Sequence, residues 1–164
     1  MNSPNQHSAR ASSRKKAHKK LVQNLKRRPQ KVVDALFQEC HEEVFEKTDC
    51  LKCANCCITT GPRFSDNDIS RIAKYLRMKP GAFVERYLRI DEDEDYVLQQ
   101  VPCTFLEEDN RCSIYDVRPK ACREYPHTDR AKQQQLFPLL TYNRVICPAV
   151  FEILEQIEQR VSRS

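Results

Sequence analysis

The stretch CLKCANCC, residues 50–57, places four cysteines in eight positions, two of them adjacent. Cysteines three residues apart can turn their thiols to one side of a tight turn. Two then reach a single tetrahedral metal ion at sulfur–zinc distances of about 2.3 Å. Cys50 and Cys53 have this spacing, and so do Cys53 and Cys56. Three cysteines so spaced also match the first ligands of an iron–sulfur cluster, whose distant fourth is often followed by proline. Cys147-Pro148 has that form. The spacing alone allows either metal. Cys56 and Cys57 are neighbours whose side chains diverge. Either one binds metal while the other packs, or the pair splits between two adjacent centres.

Five further cysteines follow the same question: Cys40, Cys103, Cys112, Cys122 and Cys147. Adding Cys103, Cys112, Cys122 and Cys147 to the first four gives eight candidate ligands, enough for two tetrahedral ions or for one cluster and one ion. His127 is a further candidate donor. Cys40 lies on an apolar helical stripe and reads as a small buried hydrophobe. Arg118 and Arg123 flank Cys122; each can offset thiolate charge or serve as an ordinary surface arginine.

Compartment separates metal binding from a disulfide framework. The start, MNSPNQHSARASSRKKAHKK, lacks the apolar run of a secretory signal, and no window approaches the ~18 apolar residues of a membrane span. The expectation is a soluble cytoplasmic chain with reduced thiols and no membrane partner, where clustered cysteines bind metal. A mitochondrial presequence is the competing reading of this acid-free start, although its few apolar residues suggest no clear amphipathic face.

The net charge of +5 is uneven. Residues 1–31 hold ten Lys and Arg and no acid, leaving 18 basic and 23 acidic residues in the remainder. Residues 1–29 therefore read as a disordered basic arm, and residues 30–162 as one cysteine-cluster domain. The arm is either a solvated tail or a weak electrostatic binder of nucleic acid or an anionic surface. It has no aromatic residue to stack on bases, which argues against a specific nucleic-acid reader.

Within the domain, Val33, Leu36, Phe37, Cys40 and Val44 have helical spacing over residues 30–47, which leaves His41 exposed beside the stripe. Ser65 can cap a second helix carrying Ile69, Ile72, Ala73 and Leu76, and Pro80 can open a third with Phe83, Val84, Tyr87 and Leu88. The run DEDED, residues 91–95, lacks the offsets of a calcium loop and reads as a solvated turn before a short strand at 96–100. Residues 103–115 suggest a hairpin with Cys103 and Cys112 on its two arms. A short helix near Pro119 carries Cys122, residues 128–146 form a helix or an irregular connection, and a helix of about 15 residues follows Cys147-Pro148. The expected class is mainly α with a small β-hairpin: a compact, metal-stapled, cysteine-rich domain with a disordered N-terminal arm.

CLKCANCC, then CTFLEEDNRCSIYDVRPKACREYP, then a late cysteine together resemble the YkgJ-type cysteine-cluster family over about residues 48 to 150. The resemblance implies chelation of zinc or iron, and it matches Cys50, Cys53, Cys56, Cys57, Cys103, Cys112, Cys122 and Cys147 to the family cluster. Three positions depart from the common pattern. Ala54 replaces a frequent glycine, which asks for a turn without positive φ. Asn110-Arg111 replaces a glycine before Cys112. His127 stands where many members carry an aromatic residue.

Two functions follow. The first is a protein that chelates zinc or iron, mononuclear or as an iron–sulfur cluster, so that metal binding couples to folding. The alternative is a metal- or iron–sulfur-dependent enzyme, or an accessory protein linked to redox or methylation chemistry. Some flagellin lysine methylases carry a similar cluster. The sequence offers no phosphate cradle or histidine–carboxylate pair, hence no catalytic constellation independent of the metal site.

Overall fold

The computed structural model describes residues 4–164. It divides into two compact units, residues 1–50 with 126–164, and residues 51–125.

The first unit is helical: α1 (Pro4–Ser13), α2 (Lys15–Leu25), α3 (Gln30–Phe45), α9 (Phe137–Ile146) and α10 (Pro148–Arg163). Its core joins Leu21 and Leu25 of α2, Val33, Phe37 and Cys40 of α3, Phe137 and Leu140 of α9, and Val150, Ile153, Leu154 and Ile157 of α10. The spacing that predicts α3 and α10 is the spacing that fills this core, and Cys40 is fully buried there as expected. The uncertain segment before α9 becomes a 3-10 turn, Gln133–Leu136. The Asp34 carboxylate accepts from the backbone N–H groups of Lys132 and Gln133, both at 2.9 Å, and the Gln134 amide donates to the Leu25 and Arg28 carbonyls beyond α2. His41 is half-buried rather than exposed: it hydrogen-bonds Thr128 at 2.8 Å and stacks on Phe45.

Of the expected disordered arm, the first three residues lie outside the described ones, and residues 4–25 instead form α1 and α2. Their inner face is sparse but real: Ala11, Leu21 and Leu25 are buried, and so are His7 and His18. Both imidazoles sit edge-on to Phe151, at centroid distances of 5.8 and 5.1 Å, so histidine supplies part of the apolar stripe. Arg14 donates to Glu155 at 2.8 Å and also pairs with Glu158, while Arg10 lies 4.4 Å over the Phe151 ring. The acids that neutralise this segment lie on α10, about 140 residues downstream, where local composition cannot reveal them.

The second unit holds α4 (Cys50–Cys53, whose first residue belongs to the first unit), α5 (Asn55–Thr59), β1 (Arg63–Phe64), α6 (Asp66–Tyr75), α7 (Pro80–Tyr87), β2 (Leu88–Ile90), β3 (Tyr96–Leu98) and α8 (Lys120–Glu124). The strands form an antiparallel sheet in the order β1-β3-β2, with Arg63 opposite Val97 and Ile90 opposite Tyr96. Its core is Phe64, Ile69, Ile72, Ala73, Phe83, Leu88, Leu98, Phe105 and Ile114. The acidic run is the turn between β2 and β3, where Asp91 accepts from the backbone of Asp93 and Asp95. The hairpin expected at residues 103–115 shrinks to one bridge, Leu106 to Cys112. The small sheet is built from other segments, because Phe64, Leu88 and Leu98 share one buried face whereas the polar run Glu107–Arg111 leaves its own arms too short to ladder.

No single helix among the described residues is long and apolar enough to cross a membrane.

Candidate metal centre

Four segments of the second unit carry its six cysteines. Cys53 ends the α4 turn, and Cys56 and Cys57 follow on α5. Between them Ala54 adopts φ 46°, ψ 13°, so the sequence expectation of a turn without positive φ is overturned. The left-handed residue reverses the chain between two short helical turns, which a continuous helix through Cys53 and Cys56 would not allow.

Cys103 is tied directly to this stretch: its backbone N–H donates to the Cys57 carbonyl at 2.8 Å. Cys112 is held by its bridge to Leu106 and by the Ser113 N–H on the Phe105 carbonyl at 2.9 Å. Asn110, at φ 66°, turns the connection, and its amide donates to the Leu51 carbonyl at 2.7 Å. Asparagine thus provides the left-handed turn that glycine would provide and adds a tie to the CxxC turn.

Cys122 lies on α8, placed by a polar latch. The buried Asp68 carboxylate accepts from the α8 N-terminal Lys120 N–H at 3.1 Å and from Arg71 at 2.6 Å. Arg71 in turn donates to the Arg118 carbonyl at 3.0 Å and to the Val117 carbonyl. Asp68 also completes a capping box with Ser65. The sequence marks Ser65 as a helix start, but the second task of Asp68 depends on Lys120, 52 residues away.

The thiols influence one another. The Cys57 thiol is pushed strongly up, first by its hydrogen bond with Cys56 and then by burial. Burial raises Cys103 and Cys112, and Cys57 bears on both. Cys122 is pushed up to about 12, by burial first and then by Cys57, Cys103 and Cys112. Arg118 opposes the rise at Cys112 and Cys122, consistent with its expected place near the thiols; its guanidinium lies 3.8 Å over the Tyr115 ring. Cys56, Cys57, Cys103, Cys112 and Cys122 thus form one electrostatically connected group.

Cys50 and Cys147 fall in the first unit. Cys147 precedes α10 and packs against the first unit's apolar cluster. His127 is also in that unit, at φ 65°, with its carbonyl accepting from Gln133. All nine cysteines are thiols. Among the described residues no three His, Cys, Asp or Glu side chains converge on one metal-binding point. The second-unit group nonetheless fits zinc or iron in kind: soft sulfur donors from four segments, electrostatically coupled and partly withdrawn from water.

The family described as "CxxCxxCC: Putative zinc- or iron-chelating domain" matches residues 49–147. The chain belongs to this CxxCxxCC family. An uncharacterized protein of Methanocaldococcus jannaschii is 33% identical over 97 residues, covering 57% of this chain and 51% of the relative, so the chain spans about half the length of that curated protein. No solved structure matches. The matched residues take in the second unit and Cys147.

Proposed function

We propose that this CxxCxxCC protein chelates zinc or iron, as single ions or as an iron–sulfur cluster, through Cys53, Cys56, Cys57, Cys103, Cys112 and Cys122. The observation that supports the reading is the convergence of four segments on Cys57: the Cys103 N–H donates to the Cys57 carbonyl at 2.8 Å, and Cys57 is electrostatically linked to Cys103, Cys112 and Cys122. Thiols that resist ionisation beside one another give up their protons when a cation arrives, because the cation replaces mutual repulsion with attraction. Cys50 and Cys147 enter as donors on sequence grounds alone. A reducing compartment such as the cytoplasm suits these thiols.

The test is metal analysis with an absorption spectrum on anaerobically purified full-length protein. Absorption above ~400 nm with iron and sulfide identifies a cluster. Colourless protein carrying zinc or iron identifies mononuclear chelation. Cys57→Ser and Cys122→Ser are expected to lower metal content well below that of a Cys40→Ser control. Protein that binds neither metal on reconstitution, or Cys57 and Cys122 variants that load fully, overturns the reading.

A further inference from the structure

A cleft of about 280 Å³ opens beside α2 in the first unit, away from the thiol group in both chain and chemistry. Its floor is apolar, with Val22 of α2, Phe137 of α9 and Leu154 of α10. Its rim is cationic, with Lys15 and Lys19 in successive turns of α2 and Lys26 just beyond its end. No acidic residue lines it. The three lysines have no carboxylate partner among the described residues, unlike Arg10 and Arg14 on the neighbouring face, which pair with Glu152, Glu155 and Glu158.

Arg144 forms part of the wall and is the decisive residue. It is only 4% exposed. Its Nη1 donates to the Ala11 carbonyl at 2.7 Å, and among the described residues no carboxylate faces it. Burial alone pulls its pKa down. A buried guanidinium without a counter-ion is unfavourable unless something anionic completes it, and its planar fork suits a carboxylate. An apolar floor, a lysine rim and a buried arginine without a carboxylate partner describe one ligand chemistry. The volume falls just below the usual ~300–1,000 Å³ of small-molecule sites, which favours a single short chain over a bulky ring system or a helix.

We propose that this cleft binds a free single-chain anionic amphiphile, a medium-chain fatty acid, with its carboxylate toward Arg144 and the lysines and its chain along Val22, Phe137 and Leu154. The inference stands independently of metal binding.

Calorimetric titration of the full-length, as-purified protein with decanoate below its micellar concentration tests it. The expected dissociation constant is on the order of 0.1 mM, with decanol at least about tenfold weaker, since it fills the floor but leaves the cations unmatched. The double variant Lys15→Glu/Lys19→Glu changes only exposed side chains, keeps the floor, and is expected to weaken decanoate about tenfold while leaving decanol unchanged. Equal binding of decanoate and decanol, an unaltered double variant, or no saturable decanoate binding overturns the proposal. So does short single-stranded DNA binding that decanoate does not compete, because the lysines would then serve a polyanion and the cleft nothing.

Discussion

At the scale of single residues, backbone sign and buried charge decide most. Ala54 holds a left-handed conformation, which costs an L-residue about 1–2 kcal/mol. Glycine would remove that strain but add about 0.4–1 kcal/mol of unfolded-state entropy, so Ala54→Gly is expected to stabilise by roughly 0.5 kcal/mol. A higher urea midpoint checks this; a lower one means that the lost methyl packing outweighs the strain. Asp68 is 2% exposed and accepts from Ser65, Arg71 and Lys120. Asp68→Ala strands these donors and frees the start of α8, with an expected loss of about 2–4 kcal/mol and weakened metal retention through Cys122. Burial pushes this carboxyl up, yet the donors from Ser65, Arg71 and Lys120 prevail and hold it at about 2. Because the folded pKa lies below the unfolded one, its stabilisation is full above about pH 4 and fades as pH falls toward 2. An acid titration in which Asp68→Ala unfolds in parallel with the unsubstituted protein would refute this. Ala54 and Asn110 also show how far sequence reading goes: each stands at a position marked by a missing glycine, but only backbone geometry reveals that both are left-handed.

At the scale of elements, α2 carries the largest surprise. A run such as KKAHKKLVQNL looks like a solvated tail because its apolar face depends on a histidine and on acids supplied by α10. His18 is 1% exposed, and its Nε2 lies 2.7 Å from Glu155. Burial lowers its pKa, Glu155 opposes this, and Arg144 and Arg14 add to the lowering. His7, on α1, is likewise lowered by burial, against its bond to the Arg144 carbonyl and with Arg10 and Arg144 adding to the fall. The sign follows. Unfolded histidine takes up a proton near pH 6.5 while the folded one does not, so the stability of α1 and α2 is full above that pH and falls as the solution is acidified below it. Glu155, held low despite burial by Arg14 and His18, adds a second loss only at more acid pH. Amide protection factors of residues 7–25 are expected to fall between pH 6.5 and 5, and to fall less in His18→Gln; pH-independent protection would exclude the mechanism. The reverse holds at residues 103–115, where apolar runs flanking a polar turn suggest a hairpin and a single bridge forms. Local pattern signals a turn there, but Phe105 and Ile114 answer to the core between α6, α7 and the sheet, not to each other.

At the scale of the whole molecule, the two units have different sources of stability. The first buries a continuous apolar cluster between helices, whereas the second has a smaller core, short strands and its six thiols. Metal removal is therefore expected to raise hydrogen exchange by at least about tenfold over residues 51–125, with little change in α3 and α10. A uniform increase along the chain would contradict it. The sequence by itself determined the long helices, the capped start of α6, the buried Cys40 and the cysteine spacing that marks the family, because each depends on residues within a few turns of one another. Tertiary structure alone decided that the basic N-terminus folds, that β3 pairs with β1 and β2, and that Asp68 holds the helix bearing Cys122. Apart from the short β2–β3 turn, those outcomes rest on partners about 30 to 140 residues apart, and no local period or composition encodes which distant charge or face will arrive.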